Sequence, residues 1–89
     1  MDERPLDGSA DAVAVARSFL LAKLPELGIH INDELDLHTD MVVAETESEY
    51  RVDFGLTDSE GRSHEGYAEV ANGEVVFAVI DGRTIHSSY

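Results

Sequence analysis

The sequence predicts an α+β domain in which one N-terminal helix packs on an antiparallel β-meander of four to five strands. The first observation is an Ala- and Leu-rich segment, Ala10 to Leu24, that contains neither glycine nor proline. The second is the hydrophobic pattern, which changes from a period of about 3.6 residues to a period of about 2 after Gly28. The third is a pair of dipeptides, Asn72-Gly73 and Asp81-Gly82, that favour two-residue hairpin turns. A helix followed by hairpins is typical of this fold class.

We expect the helix to begin after Ser9, a favourable N-cap residue, and to stop or bend sharply at Pro25. Gly28 would end any extra turn. One stripe of the helix surface is apolar and predicted to face the sheet; it carries Val13, Ala16, Leu20 and Leu24. Residues 1–8 are polar and show no periodicity, which predicts a disordered tail before a single domain over residues 9–89.

The strands after Gly28 are predicted from alternation and from turn residues. The segment Ile29 to Leu37 leaves a short strand, a bulged strand and an extended connector open. Met41 to Glu45 is predicted to form a strand. The next strand alternates cleanly between apolar and other residues, with Tyr50, Val52, Phe54 and Leu56 on its apolar face. A four-residue loop between these two strands would set Val43 against Val52 and Met41 against Phe54.

A two-residue loop at Asn72-Gly73 fixes the register of the following hairpin. It pairs Ala71 with Glu74, Val70 with Val75, and Ala68 with Phe77. The side chains that would then face the helix are Ala68, Val70, Val75, Phe77 and Val79. A second hairpin at Asp81-Gly82 returns the chain through a last strand, Arg83 to Ser87.

The strand from Val75 to Ile80 is apolar on both of its faces, although an antiparallel sheet with one wet side needs alternating polar residues. We therefore expect an exposed apolar patch on the face opposite the helix, formed by Tyr67, Val76, Ala78, Ile80 and Ile85. A protein partner, most simply a second copy in a symmetric homodimer, would cover it. Two alternatives are a cover from the same chain, by Ile29 to Leu37 or by the N-terminal tail, and a small-ligand cavity.

Composition narrows the classes of partner. The 19 Asp and Glu against 6 Lys and Arg give a net charge of −13, which argues against nucleic acid and anionic membranes as partners. The chain lacks cysteine, which excludes disulfides and thiolate metal sites. No apolar run approaches the roughly 18 residues of a membrane span, and the first residues do not resemble a signal peptide, so we expect a cytoplasmic protein.

The many carboxylates, the single lysine and the modest aliphatic core resemble the composition of proteins from salt-accumulating archaea. The alternative is an ordinary acidic bacterial domain. A halophilic protein is expected to gain stability between low and molar KCl, because salt screens its self-repulsion.

Motifs for catalysis or cofactor binding are missing from the sequence, so we expect no enzyme and no cofactor. The weak metal-site candidate is Asp36, His38 and Asp40, which one strand would place on a single face; a solvated acidic edge is the simpler interpretation. His64 and Asp81 become cross-strand neighbours if the hairpin register extends that far, and the carboxylate would raise the pKa of the imidazole.

The order of a helix and then a meander resembles PepSY-like and cystatin-like domains. It covers about Ala10 to Ile80 and includes the segments Tyr50-Arg51-Val52-Asp53-Phe54 and Glu69-Val70-Ala71-Asn72-Gly73-Glu74-Val75. The resemblance implies a helix lying across a curved antiparallel sheet, and family members often act as inhibitory or regulatory binding modules. The cystatin Q-x-V-x-G loop is absent, so the resemblance assigns no inhibitory residue.

Together these observations predict a small acidic, non-catalytic interaction module that is salt-adapted and self-associates through its sheet. The alternative function is a small-ligand or divalent-metal-binding domain, centred on Asp36, His38 and Asp40 or on a cavity between helix and sheet.

Overall fold

The computed structural model describes residues 9–89 and confirms the α+β fold class. Helix α1 is followed by two short 3-10 helices, Leu24–Leu27 and Glu34–Asp36, and then by five strands. Their bounds are α1 Ser9–Lys23, β1 Leu37–Ala44, β2 Glu49–Thr57, β3 Ser63–Ala71, β4 Glu74–Ile80 and β5 Arg83–Ser87. The predicted tail, residues 1–8, lies outside the described residues. Within the described part of the chain, no helix has the length and apolar character needed to cross a membrane.

Helix α1 ends as its sequence predicts. Pro25 lies in the single 3-10 turn Leu24–Leu27, and Gly28 closes this turn in the left-handed conformation, with φ of 78°. The Gly28 N–H donates to the Pro25 carbonyl at 3.0 Å. The buried stripe of the helix and its following turn carries Ala12, Ala16, Leu20 and Leu24, while Val13 is half-buried at the edge of the stripe.

The five strands form one antiparallel meander in the order β1-β2-β3-β4-β5. Both predicted two-residue hairpins are present, since all four turn residues have positive φ: Asn72 at 52°, Gly73 at 82°, Asp81 at 52° and Gly82 at 79°. Positive φ at both central positions matches the right-handed twist of the strands. The β3–β4 and β4–β5 connections are therefore as short as an antiparallel sheet allows.

The core lies between α1 and one face of the sheet, in two adjoining clusters. The first contains Ala12, Ala16, Tyr50, Val52, Ala68, Val70, Val75 and Ala78, and the second contains Leu20, Leu24, Leu37, Phe54, Leu56 and Ile80. Gly66 lies at the second cluster, where a Cβ would come within 2.9 Å of the Phe54 ring and still closer to the Val79 carbonyl oxygen. A side chain at this position would push β4 and the Phe54 ring away from β3.

Three single-residue bulges interrupt the strand pairing, at Asp40 in β1, Val76 in β4 and Ile85 in β5. The predicted β1–β2 register is wrong by one residue, because Val42 rather than Val43 lies opposite Val52. Close to the β3–β4 turn the predicted pairs are confirmed, but Ala68 lies opposite Ala78 rather than Phe77.

The connector between α1 and β1 lies on the helix side of the sheet. Ile29 and Ile31 pack against the second core cluster. Arg17 of α1 donates to the backbone carbonyl of Glu34 at 2.9 Å and to that of Leu37. The prediction that Ile29 to Leu37 could fold over the opposite face of the sheet is therefore wrong.

Candidate functional site

The five side chains predicted to form an interface do not share one face of the sheet, so that assignment is wrong. Ala78 and Ile80 are 0% and 4% exposed and pack beneath α1 in the two core clusters. Ile85 packs against both clusters. Ala68 is buried under the helix, so the adjacent Tyr67 points to the opposite face of the sheet, where its ring contacts that of Phe77. The predicted patch is thus divided between the core and the open face.

The bulge at Val76 is the cause. Val70 pairs with Val75, but Glu69 pairs with Phe77, so Val76 has no partner in the ladder. One extra residue reverses the alternation of everything beyond it. Phe77 and Val79, which were expected under the helix, therefore project from the other face, and Val76 itself is half-buried.

We call the face of the sheet away from α1 the outer face. Two rows of cross-strand pairs run across it from β1 to β5. One row is Met41, Asp53, Tyr67, Val79 and Thr84; the other is Val43, Arg51, Glu69, Phe77 and Ser87. Charged side chains of both signs therefore lie among apolar ones. Within residues 9–89, the one α-helix lies on the opposite face and covers none of these rows.

The apolar side chains of these rows, together with the C-terminal tyrosine, form an exposed cluster. We call it the outer apolar cluster, and it contains Met41, Val43, Tyr67, Phe77, Val79 and Tyr89. Met41, Val43 and Tyr89 are 57%, 42% and 87% exposed. The ring of Phe77 lies between those of Tyr67 and Tyr89, with both centroid distances at 6.2 Å. Aromatic rings and methionine are the side chains that protein interfaces favour.

Arg51 lies at the centre of the outer face and is held from two directions. Its guanidinium carbon lies 3.9 Å from the centroid of the Tyr67 ring, within the range of a cation–π contact. Its Nε donates to Asp53 Oδ1 at 2.9 Å, and that hydrogen bond is the main reason why the pKa of Arg51 is raised. The Glu69 carboxylate, directly across the strand pair from Arg51, has no ion-pair partner among residues 9–89.

The predicted metal ligands Asp36, His38 and Asp40 are not brought together. Asp36 belongs to a 3-10 helix and not to the strand, and Asp40 is the bulged residue of β1. His38 and Asp40 form only an exposed pair, Nδ1 to Oδ1, at 2.9 Å. Within the described chain, no three His, Asp or Glu side chains are arranged to hold a metal ion. The structure therefore gives no support to a metal site at this edge.

On the helix side of the sheet, His64 forms a hydrogen-bonded cluster with two aspartates, Asp58 and Asp81. Its Nδ1 lies 2.6 Å from Asp81 Oδ2, as the hairpin register predicts, and its Nε2 lies 2.9 Å from Asp58 Oδ2. Asp58 is 7% exposed, and its other carboxylate oxygen accepts the backbone N–H groups of Glu60 and Arg62. The contact between Asp58 and His64 is not predicted from the sequence. The position of Asp58 before Ser-Glu-Gly indicates a side chain that caps its own turn, but not that this turn folds toward His64.

The cluster shifts the pKa of each of its three members. The hydrogen bond to Asp58, followed by that to Asp81, raises the pKa of His64, and burial opposes this only in part. The bond to His64 is likewise the main reason why the pKa of Asp58 lies far below its usual range, and the Arg62 backbone N–H adds to the effect. The other hydrogen bond, between His64 and Asp81, lowers the pKa of Asp81. All three shifts favour an imidazolium between two carboxylates.

This arrangement restricts what His64 can do chemically. A charged imidazole donates from both ring nitrogens, and here both donors are taken by carboxylates. No ring nitrogen is left to accept a proton from a substrate, so His64 is not placed as a general base. Its evident role is to join the β2–β3 loop to the β4–β5 turn.

A groove of about 630 Å³ opens beside this cluster, between the C-terminal end of α1 and the β4–β5 hairpin. Its lining includes the apolar side chains of Ile29, Ile80 and Ile85. Lys23, Arg62 and Arg83 also line it, as do the members of the His64 cluster.

Comparisons with known proteins find no match: no family model, no curated protein and no solved structure is significantly similar to this chain.

Proposed function

We propose that this protein is a small, salt-adapted, non-catalytic interaction module, and that its outer face binds the outer face of a second copy. The observation that carries the proposal is the outer apolar cluster, which lies opposite the helix and contains three large side chains that are 42% to 87% exposed. Burying such side chains against a partner removes apolar surface from water, at about 25 cal/mol per Å².

The size of the outer face fits a small interface. Five strands spaced about 4.8 Å apart, with about seven residues of about 3.3 Å each, give a projected area of roughly 500 Å². The accessible surface of a face with protruding side chains exceeds its projection. The face therefore approaches the roughly 600–800 Å² per partner of weak to standard protein interfaces.

The charges on the outer face favour a second copy as the partner. Across a two-fold axis, a residue on one side contacts the residue on the other side of the axis in the second copy, and the reverse contact repeats it, so a self-complementary face needs both signs of charge. Arg51 and Glu69, which has no ion-pair partner within the described part of the chain, are neighbours in one row, and an axis between them would pair each Arg51 with the Glu69 of the other copy. The net charge of −13 opposes association in dilute buffer, so we expect the dimer to form at high ionic strength.

Sedimentation velocity in about 2 M KCl, at concentrations up to about 1 mM, tests this proposal. The wild-type chain is expected to move from monomer to dimer with concentration. Phe77→Glu, which places a charge in the outer apolar cluster, is expected to remain monomeric. Leu35→Glu is the matched control. Leu35 is 83% exposed, but it lies within the connector between α1 and β1, on the helix side of the sheet. A wild-type chain that stays monomeric throughout contradicts the proposal.

A charge exchange tests the orientation of the two copies. Glu69→Arg places two arginines in one row and is expected to weaken the dimer. The double variant Arg51→Glu with Glu69→Arg restores opposite charges across the proposed axis, and we expect it to recover association. Equal weakening in the single and double variants would contradict this pairing.

A further inference from the structure

The groove at the end of α1 collects cations in a molecule that has few of them. The chain has 6 Lys and Arg against 19 Asp and Glu, and Lys23, Arg62 and Arg83 all line this groove. His64 also lines the groove, where its ring is held between the carboxylates of Asp58 and Asp81. Half of the Lys and Arg side chains of a strongly acidic protein therefore meet at one concave site.

The acidic side chains of the groove are already engaged. Asp58 and Asp81 hold His64, and Glu26 lies 3.4 Å from the Lys23 Nζ. Arg62 is bound to Asp58 and Glu60, at 3.4 Å and 2.5 Å. Arg83, in contrast, has no ion-pair partner among residues 9–89. It lies across the hairpin from Ile80, so both residues belong to the helix side of the sheet.

The same groove also has apolar side chains in its lining. Ile80 is 4% exposed, and Ile29 and Ile85 pack against the second core cluster while their remaining surface faces the groove. The volume of about 630 Å³ lies within the range of small-molecule sites, about 300–1,000 Å³. An unpaired guanidinium beside an isoleucine wall is complementary to a ligand with one anionic end and one apolar end.

We propose that this groove binds a monocarboxylate with a short alkyl chain. The guanidinium of Arg83 donates two hydrogen bonds to the carboxylate, a geometry that suits arginine better than lysine. Lys23, which also lines the groove, contributes charge, and the alkyl chain lies along Ile29 and Ile85. This site is on the helix side of the sheet, so it does not depend on the outer face.

Titration of the ¹⁵N-labelled protein with octanoate, followed by amide chemical shifts, tests the site. A salt concentration of about 1 M KCl screens the long-range repulsion from the surface carboxylates and leaves contact pairs in place. We expect saturable shifts at Gly28, Arg83 and Ile85. Arg83→Gln is expected to weaken binding at least about tenfold, and Arg83→Lys less than that. The exposed position of Arg83 makes both variants tolerable for folding.

Two controls show whether the carboxylate and the groove are responsible for binding. Octan-1-ol has the same alkyl chain without the charge and is expected to bind at least about tenfold more weakly than octanoate. Phe77→Glu disrupts the outer face and is expected to leave octanoate binding unchanged, which distinguishes failure of the groove from failure of the dimer. Unchanged affinity in Arg83→Gln, octanol binding as tight as octanoate binding, or saturable shifts confined to the outer face would each overturn the proposal.

Discussion

The imidazole of His64 connects two turns that are far apart in the chain. Asp58 lies in the loop after β2, and Asp81 lies in the turn before β5. His64 lies in β3, so its side chain joins the β2–β3 loop, strand β3 and the β4–β5 turn at one end of the sheet. Charge-assisted hydrogen bonds of this kind are stronger than neutral ones, and burial of Asp58 protects them from water.

The pKa shifts of this cluster predict a window of pH in which the cluster stabilises the fold. The pKa of His64 is raised, so its contribution is complete below the unfolded value of about 6.5 and is lost as the pH rises through the folded value. The pKa values of Asp58 and Asp81 are lowered, so their contribution is present above about 3.9 and is lost as the pH falls.

His64→Asn tests this linkage by thermal unfolding. At about pH 5–6 we expect the variant to melt on the order of 5–10 °C below the wild type, because Asp58 loses its buried charged partner. As the pH rises through the folded pKa of His64, the difference is expected to become smaller, since the wild-type imidazole loses its proton. His38→Asn is the control, because the His38 side chain is 59% exposed and its loss should change little. A deficit independent of pH would contradict the linkage.

At the scale of elements, the bulges decide which side chains each face presents. The Val76 bulge in β4 exchanges Phe77 and Val79 for Ala78 and Ile80 under the helix. Small Ala78 beside Ala12 and Ala16 allows α1 to lie close to the sheet in the first cluster. The bulky Phe77 is left for the outer face, where it joins two other aromatic rings.

Sequence reasoning therefore predicts the elements of this fold but not its faces. The helix, its end at Pro25 and Gly28, and both hairpins follow from local chemistry at single dipeptides. A bulge has no comparable local cause here: the run from Val75 to Ile80 is apolar at every position, so both alternations satisfy the pattern equally. Packing against the alanines of α1 selects between them, and that is a tertiary effect. The Asp58–His64 contact depends on the shape of a whole loop and was missed for the same reason.

A deletion in β4 tests this view of the bulge. Removing Val76 leaves every other β3–β4 pair in place and turns the ladder regular, so we expect a cost of about 1 kcal/mol or less in the free energy of unfolding. Removing Ala78 instead shifts Val79 into the core position, and we expect a loss of about 2–4 kcal/mol. Chemical denaturation of the two deletion variants measures both values. If the two deletions lowered the free energy of unfolding equally, Val76 would have a structural role beyond being the extra residue in β4.

At the scale of the whole molecule, charge is distributed unevenly. Among residues 9–89, three of the cationic side chains line the groove and Arg51 lies on the outer face. Carboxylates dominate the rest of the described surface, among them Glu45, Glu47 and Glu49 around the β1–β2 loop. Like charges in close succession repel each other and destabilise the compact state at low ionic strength. Both proposed binding sites lie where positively charged side chains offset this negative surface charge.

Salt is therefore expected to stabilise the fold. The melting temperature should rise between about 0.1 M and 2 M KCl, where the Debye length falls from about 10 Å to about 3 Å or less. The variant Glu45→Gln, Glu47→Gln and Glu49→Gln removes three neighbouring negative charges and should show a smaller rise. Differential scanning calorimetry at a concentration too low for dimer formation isolates this effect. A melting temperature that does not change with KCl would remove the case for salt adaptation.

The meander leaves β1 and β5 as its two borders, and each of them contains one of the bulges, at Asp40 and at Ile85. A bulged border is a poor template for the backbone of another chain, and a charged residue at that point makes it poorer. Fibre growth by strand addition is thereby discouraged at either side of the molecule. Concentrated salt screens the repulsion between acidic copies, and under those conditions this protection would keep contact between copies limited and reversible.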